Sequence, residues 1–420
     1  MIQALTALFS LPDLRKRLLW TLGLIIVFRF GVHVPVPGVD HAAILGQFGE
    51  HGLLGFLDLF TGGALGRFSI FALGIIPYIN ASIIMQLLQV VIPQLEELRK
   101  EDEDGRRKIA QYTRYLTVVL AALQSFGMSF WFRNFLLHDF GFTLFLISTV
   151  ATLTAGAVLV MWLGEVITDR GIGNGASLLI FIGIVSRIPA YVHQTIQLVQ
   201  GGASLLGVIF LLTIFAAMIV GIVIIQEGQR RIQVQYAKRI VGRKVYGGQS
   251  TYIPLRVNQG GVLPIIFASS ILLFPATIAQ FVPIPFLQGF SRWFAPSSVI
   301  YMGAFFALIF FFTYFYTALT FNPNEIAENI KKYGGFITGI RPGKPTAEYL
   351  EFVVTRITFV GALFLALVAV TPVIAEGATR ITSFQGLGGT ALLIVVGVGL
   401  DLLRQIESQM ITRQYERLLA

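Results

Sequence analysis

Residues 72–88 read ALGIIPYINASIIMQLL, and residues 259–275 read QGGVLPIIFASSILLFP. Each stretch is apolar over most of the roughly 20 residues that a membrane-spanning helix needs. The second stretch repeats the first at a constant spacing of 187 residues. The matched pairs are Gly74 and Gly261, Pro77 and Pro264, Ile79 and Ile266, Ala81 and Ala268, and Ser82 and Ser269. The two stretches therefore predict membrane helices that are related by an internal repeat.

A second match, at a spacing of 214 residues, lies further along each half of the chain. It pairs Gly175 with Gly389, Leu178 with Leu392, Leu179 with Leu393, Ile180 with Ile394, and Gly183 with Gly397. A group of five membrane spans ends on the side opposite to where it begins, so a second group of five spans runs in the opposite orientation. Two matches at equivalent places in two such groups therefore favour an inverted repeat. The alternative is chance similarity, because Gly, Ala, Leu and Ile are common in every membrane helix.

The composition is typical of a protein embedded in a bilayer. Of the 420 residues, 55% are hydrophobic and 13% are charged, whereas an ordinary soluble domain has roughly 25% charged residues. The mean hydropathy is +0.75. The chain has no cysteine, which excludes a disulfide framework, a thiolate nucleophile and a thiolate metal site. We therefore expect an all-α polytopic membrane protein.

Ten segments are candidates for membrane spans. Eight are long and apolar: 18–34, 70–92, 115–132, 142–163, 205–225, 262–282, 299–321 and 357–374. Two are weaker, because segment 172–192 contains Arg187 and Pro189 near its end and segment 387–400 stops at Asp401.

The positive charges give these ten spans an orientation. Of the 31 Lys and Arg residues, 25 fall on one side, five fall on the other, and Arg29 lies within the first span. Because cytoplasmic loops carry the excess of Lys and Arg, both termini are expected in the cytoplasm. The predicted domains are an N-terminal half, residues 1–200 with spans one to five, and a C-terminal half, residues 201–420 with spans six to ten.

The outer loop after the first span contains a segment that is apolar but too short to cross the membrane. Residues 53–69 read LLGFLDLFTGGALGRFS. Irregular backbone at membrane depth is tolerated only where it is buried in protein or lines a cavity. Two interpretations stay open: a re-entrant segment within the protein, and a helix that lies on the outer membrane surface.

Two long cytoplasmic arms carry much of the positive charge. The first arm, residues 227–261, has seven Lys and Arg residues between 229 and 259 without an acid, and its alternating apolar residues favour a β-hairpin. The second arm, residues 322–355, contains Arg341, which Pro342 holds extended. These charges either orient the protein and attract anionic lipid, or dock an acidic or nucleic-acid-bearing partner.

The polar residues indicate no reaction chemistry. The acidic residues of the spans lie at their ends, and the five histidines lack the spacing of a zinc site. A phosphate-binding GxxxxGK[ST] motif is absent. Arg29 is expected to snorkel or to pair structurally. The sequence therefore predicts no enzyme, no metal and no cofactor.

Four long strings of the chain resemble a known family. They are ALGIIPYINASIIMQLL at 72–88, RGIGNGASLLIF at 170–181, QSTYIPLRVNQGGVLPIIFASSILLFPA at 249–276 and GIRPGKPT at 339–346. Together they are similar to the SecY family, the channel-forming subunits of the bacterial Sec protein translocase. The resemblance implies an hourglass pore between two five-helix halves. A short plug would close the pore, and a gate between spans two and seven would open it sideways to lipid.

The resemblance also implies a role for particular residues. The constriction ring would comprise Ile75, Ile79, Ala176, Ile180, Ile266 and Ile394. The plug would be residues 53–69, with Leu53 at its start, Phe60 facing the ring and Arg67 near its hinge. The lateral gate would be lined by Asn80, Gln86, Ser270 and Phe274. Family members commonly have isoleucine where this chain has Ala176.

The function and the partners follow from the same resemblance. The channel would move unfolded secretory preproteins across the bacterial inner membrane, and would release signal helices and the helices of nascent membrane proteins into lipid. SecE and SecG would be fellow subunits, while the ATPase SecA or the ribosome would supply the energy and dock on Arg243, Lys244 and Arg341. A small-molecule secondary transporter is the alternative, and it would need an ionisable cluster in mid-span. An intramembrane enzyme would need an acid pair, a metal motif or a Ser-based pair.

Overall fold

The computed structural model describes residues 12–41, 43–44, 53–100, 103–137, 141–202, 204–236, 239–241, 244–246, 250–281, 298–379 and 388–419. Helices dominate this part of the chain. In chain order they are α1 (Pro12–Gly31), α2 (Leu53–Thr61), α3 (Ile76–Val91), α4 (Pro93–Lys100), α5 (Glu103–Trp131), α6 (Phe142–Arg170), α7 (Gly175–Val185), α8 (Ile188–Gln200), α9 (Leu205–Glu227), α10 (Leu263–Phe281), α11 (Val299–Thr320), α12 (Pro323–Lys332), α13 (Lys344–Thr379) and α14 (Gly389–Leu419). The strands are β1 (Gln229–Tyr236), β2 (Arg239–Val241), β3 (Lys244–Tyr246), β4 (Ser250–Arg256) and β5 (Gly335–Ile337).

A helix occupies each of the ten segments that were predicted to span a membrane. Within the described residues, seven helices are long and apolar enough to cross a membrane, or eight if the bent pair α3 and α4 counts as one span. α1 falls short of that standard because basic residues crowd its N-terminal end. The mostly helical, multi-span fold is confirmed, while the count of ten spans stays a prediction.

The second and seventh spans begin with the same backbone turn. Gly74 has φ +55° and Gly261 has φ +60°. This left-handed conformation is accessible to glycine at little cost and strains residues with a Cβ. The helix of the second span therefore starts at Ile76 rather than at residue 70. This shared turn explains why both halves have glycine at the first matched position of the repeat, Gly74 and Gly261.

Close glycine contacts recur in both halves. A Cβ added to Gly156 in α6 would overlap the carbonyl oxygen of Ile70, and one added to Gly361 in α13 would clash with the carbonyl oxygen of Val257. Ile70 and Val257 are separated by the same 187 residues as the matched stretches. In each half, therefore, the fourth span of that half contacts an equivalent carbonyl oxygen just before its second span.

The fourth and fifth spans of the first half meet as the ninth and tenth spans of the second half do. Gly175 at the start of α7 faces the carbonyl oxygen of Gly164 in α6, with no room for a Cβ. Gly389 at the start of α14 faces the carbonyl oxygen of Val368 in α13 in the same way. In the second match of the sequence repeat, Gly175 and Gly389 are therefore both positions where two helices approach closely.

The fifth span, expected over residues 172–192, is one helical stretch, Gly175–Gln200, that a two-residue turn interrupts. α7 ends at Val185 and α8 begins at Ile188, so that Ser186 and Arg187 form the break. Pro189 lies in the first turn of α8, where a missing backbone N–H costs little. The break leaves Arg187 at the end of a short helix inside the protein.

Segment 53–69 enters the protein and returns to the same side. Ser69 forms an isolated antiparallel bridge with Pro35, just after the end of α1. The amide of Ile70 also donates to the carbonyl oxygen of Val34 at 2.9 Å. Because the segment ends beside the helix that precedes it and its helix α2 packs against α7, it is re-entrant rather than laid on the membrane surface.

The two arms, residues 227–261 and 322–355, form one small sheet. β1 pairs antiparallel with β4, as the hairpin prediction for residues 227–261 requires. β1 also pairs with β5 of the second arm, which gives the strand order β4-β1-β5. A separate two-stranded hairpin, β2 and β3, lies at the tip. The apolar face of the sheet packs on α12 and on the start of α13 through a shared cluster, which includes Ile232, Val234, Ile330 and Leu350.

Candidate functional site

The six residues of the expected constriction come from both halves and lie in one apolar cluster. They sit at the start of α3, in α7, in α10 and in α14. Five are buried and belong to the cluster, and half-buried Ala176 packs against it. The buried members are Ile75, Ile79, Ile180, Ile266 and Ile394. All six therefore lie in or against one extended apolar cluster that many other residues share, and the ring itself stays a prediction.

Local sequence fixes where the ring helices begin. The side chain of Asn174 accepts a hydrogen bond from the amide of Ser177 at 3.1 Å, which caps the N-terminus of α7. In α3, Pro77 lies in the first turn and satisfies the preference for proline at that position. Ala176 and Ile180 are four residues apart on α7 and thus share one face of the helix.

A cavity of about 430 Å³ opens next to the ring. Four ring residues line it: Ile79, Ala176, Ile180 and Ile266. Its other walls are mixed: Gln86, Arg114, Glu165 and Asp169 are polar, and Leu263 and Phe267 are apolar. Arg114 donates to Glu165 at 2.8 Å. The cavity is thus a charged vestibule with an apolar floor, and it lies at the N-terminal end of α7.

The re-entrant segment lies at the opposite end of α7. Phe60, at the end of α2, is buried in the same apolar cluster as the ring. A Cβ built on Gly183 of α7 would lie 3.1 Å from the carbonyl oxygen of Phe60. Arg67 is exposed, and the side chain of Leu53 lies outside the described residues. The vestibule and the re-entrant segment therefore flank the ring from its two sides.

Asp58 and Arg187 form a buried ion pair that sequence reasoning missed. Arg187 contacts Asp58 Oδ2 through Nη2, and the Asp58 side chain is 4% exposed. Asp58 Oδ1 accepts the amide of Gly66 at 2.8 Å. The signal in the sequence is a lone acid inside an apolar segment, whereas the acids that we considered were those at the ends of the spans. Arg187 had been noted as an interruption of the fifth span.

Arg29 ties the re-entrant segment to a second helix. Its Nη1 donates to the carbonyl oxygen of Gly62 at 3.0 Å and to Ser186 Oγ at 3.0 Å. Arg29 belongs to α1, Gly62 follows α2, and Ser186 follows α7. The guanidinium therefore joins three elements, which is the structural pairing that the sequence had left open beside snorkelling.

The helices of the expected lateral gate are in contact. α10 packs against α3, and it also contacts α5. Asn80 of α3 and Ser270 of α10 are both buried. Gln86 donates to Ser82 Oγ at 3.3 Å within α3. The side chain of Phe274 lies outside the described residues.

The expected docking residues lie on the arms. Arg341 is exposed in the turn between β5 and α13, and its carbonyl oxygen accepts the Thr346 hydroxyl at 2.8 Å. Lys244 begins β3, but its side chain is outside the described residues, and Arg243 falls outside them altogether. Among the residues that the structure describes, no group of three or more His, Cys, Asp or Glu side chains is placed to hold a metal ion.

A multi-pass helical membrane protein with an apolar cluster between its two halves, an open cavity beside that cluster and a re-entrant segment has the architecture of a membrane channel. The family model SecY matches residues 69–403. The chain belongs to the SecY family.

Relatives support this membership over nearly the full length. The chain is 47% identical to "Protein translocase subunit SecY" of Streptomyces scabiei, over 99% of both chains. It is 48% identical to the protein of that name from Synechocystis sp., over 96% of this chain and 93% of the relative. The counterpart from Thermotoga maritima is 45% identical, over 99% and 97%.

Solved structures support the fold. A structure described as "The structure of a protein conducting channel" superposes with a TM-score of 0.66 at 16% identity, covering 95% of this chain and 93% of the other. "Sec61 in the Canine ribosome-channel complex from the endoplasmic reticulum" superposes with a TM-score of 0.61 at 15% identity, with the same coverage. Both comparisons agree with the fold of a protein-conducting channel.

Proposed function

We propose that the chain is the central pore-forming subunit of a channel through which unfolded secretory polypeptides cross a membrane. The polypeptide passes between the halves, residues 1–200 and 201–420, through the ring. The observation that carries this proposal is the convergence of ring residues from both halves on one apolar cluster. The vestibule would be the entrance, and residues 53–69 would be the plug on the far side.

An apolar ring suits a client of arbitrary sequence. Isoleucine side chains offer an extended polypeptide no hydrogen-bond partner, so no client sequence is held strongly. A narrow apolar constriction also resists ion leakage, because water leaves it readily. Half-buried Ala176 is the smallest side chain of the ring, so the plug would carry more of the seal beside it.

The contact between α3 and α10 would serve as the lateral gate. Polar side chains between membrane helices contribute only about 1 kcal/mol each. Asn80 and Ser270 lie buried in α3 and α10, and Gln86 and Phe274 lie further along the same two helices. Such weak contacts can part when an apolar signal helix moves from the channel into lipid.

External partners would supply the energy and complete the channel. The arms, with Arg243, Lys244 and Arg341, would dock the ATPase SecA or the ribosome, and SecE and SecG would be fellow subunits. The relatives named as protein translocase subunits support this assignment. The excess of Lys and Arg on one side supports cytoplasmic termini and contact with anionic lipids in a bacterial inner membrane.

The absence of native cysteine allows a direct test of the pathway. An Ile79→Cys variant is combined with a secretory chain that carries one cysteine and is stalled midway through translocation. We expect a disulfide between the two that depends on the signal sequence of the client. Leu153→Cys is the matched control, since Leu153 is equally apolar and buried but belongs to a separate cluster with the outer loops.

The outcomes are distinct. A disulfide at Ile79 and none at Leu153 would support a polypeptide path through the ring. If a cysteine at exposed Tyr252 of β4 crosslinks to the stalled complex while Ile79→Cys does not, the client lies elsewhere. That result would favour the secondary-transporter alternative.

A further inference from the structure

The re-entrant segment is held to the rest of the protein by charge as well as by apolar contacts. Asp58 of α2 pairs with Arg187, and the side chains of these residues are 4% and 25% exposed. The guanidinium of Arg187 lies against Gly63, where a Cβ would stand 3.6 Å from Nε. Arg29 holds the carbonyl oxygen of Gly62 at 3.0 Å. Arg29 of α1 and Arg187, which follows α7, therefore both contact the turn that contains Gly62 and Gly63.

The segment is folded around the carboxylate of Asp58. Oδ1 accepts the amide of Gly66 at 2.8 Å and the hydroxyl of Thr61 at 3.3 Å. The carbonyl oxygen of Asp58 accepts the amide of Gly63 at 3.0 Å. These contacts leave Oδ2 to face Arg187. A buried carboxylate needs such a partner, because an uncompensated charge is costly away from water.

The position of Arg187 links the ion pair to the constriction. Ala176 and Ile180 of the ring lie on α7, and Ser186 and Arg187 follow the end of the same helix. α7 and α8 continue as one span, Gly175–Gln200, so a displacement of α7 would carry Arg187 with it. A displacement that widens the ring would therefore move Arg187 relative to Asp58 of the re-entrant segment.

We propose that Asp58 and Arg187 form a charge latch that positions the plug, and that displacement of α7 by an entering polypeptide releases it. The latch deepens the proposed function, since it requires that residues 53–69 close the pore. Asp58 and Arg187 act as positioning residues, and neither has to touch the client. Arg29 holds the adjacent turn and limits how far the segment moves.

A double-mutant cycle in the full chain, reconstituted with its co-purifying subunits in liposomes, tests the latch. The variants are Asp58→Asn, Arg187→Gln and the two together, and the measurement is resting ion efflux. Each single change leaves one buried charge unpaired, so we expect efflux to rise about tenfold. The double variant should rise by about the same factor rather than about a hundredfold, because the two residues act as one unit.

Three comparisons make the result specific. Arg187→Lys keeps the charge and should leak less than Arg187→Gln. Arg133→Gln removes an exposed arginine near the outer loops and should leave efflux unchanged. With a client stalled in the pore the latch is already open, so all latch variants should then conduct like the unmodified protein, which a general loss of stability would not produce.

The proposal and the function on which it rests fail differently. Multiplicative effects of the two single changes would overturn the latch. Tight single variants beside a leaky deletion of residues 53–69 would also overturn it, while the plug assignment would stand. A deletion variant as tight as the unmodified protein would remove the plug assignment, and the latch with it.

Discussion

Gly62 and Gly183 meet backbone to backbone. A Cβ at Gly62 would stand 2.9 Å from the Cα of Gly183, and Gly62 has φ +67°. Gly62 has to be glycine because its φ is positive. Both positions have to be glycine because the two backbones lie too close together for a side chain between them. This contact sets the depth of the re-entrant segment against α7, one turn beyond Ile180.

A side chain at Gly183 should lift the re-entrant segment. Its Cβ would lie 3.1 Å from the carbonyl oxygen of Phe60 and 3.2 Å from the amide nitrogen of Gly62. We expect Gly183→Val to raise resting ion efflux from liposomes several-fold, because the backbone of the segment must move. Gly23→Val is the matched control, since nothing lies within 4 Å of a Cβ at that helical position. Equal efflux from the two variants would contradict the prediction.

The glycines at the starts of α7 and α14 should be equally intolerant of a Cβ. Gly175→Ala and Gly389→Ala each push a methyl group onto a carbonyl oxygen of the neighbouring helix. Overpacking of this kind costs about 1–3 kcal/mol, so the midpoint of thermal unfolding in detergent should fall in both variants. Gly399→Ala, further along α14 where no atom lies within 4 Å, should not lower it. A drop in one half alone would argue against equivalent helix contacts.

Enlarging the smallest ring residue should tighten the channel. Ala176 lines the vestibule and packs against the buried isoleucines. We expect Ala176→Ile to reduce resting ion efflux and to slow export of a bulky client. Ala110→Ile adds the same volume elsewhere in the vestibule and should leave efflux unchanged. An Ala176→Ile variant that leaks more would show that the added side chain forces the ring apart.

Reversing the charge of Arg341 should weaken docking of the motor. Its side chain is exposed in the turn before α13, so the substitution leaves the fold intact. We expect Arg341→Glu to reduce SecA-driven export of a preprotein into inverted vesicles at least several-fold, with normal amounts of inserted protein. Arg106→Glu makes the same change on α5, outside both arms, and should export normally. Unchanged export by Arg341→Glu would remove this residue from the docking surface.

The lengths and spacing of apolar residues made most of the fold predictable. Each of the ten segments chosen for its apolar length contains a helix, and alternation of apolar residues located the β1–β4 hairpin. The pairing of β1 with β5 was not predicted, because a three-residue strand more than 90 positions away in sequence carries no signal of its partner. The break at Arg187 was visible only as a charge near the end of a span.

The sequence predicts a ring of apolar residues but does not predict the charge pair, for physical reasons. Ile79, Ile180, Ile266 and Ile394 lie at repeated positions of apolar helices, so pattern and family resemblance point to them. Asp58 and Arg187 lie on different elements and come together only because α2 turns into the protein. Each residue alone looks like an irregularity in an apolar segment. A pairing of lone opposite charges within predicted membrane depth is the signal that could have found them.

α13 extends from the sheet of the two arms through the predicted ninth span. Its 36 residues correspond to about 54 Å at 1.5 Å per residue. The sheet joins both arms to the first turns of this helix. Because the sheet and the first turns of α13 share one apolar cluster, we expect a displacement of either arm to move this helix as well. Pro372, near the far end of α13, has no backbone N–H to donate to the preceding turn.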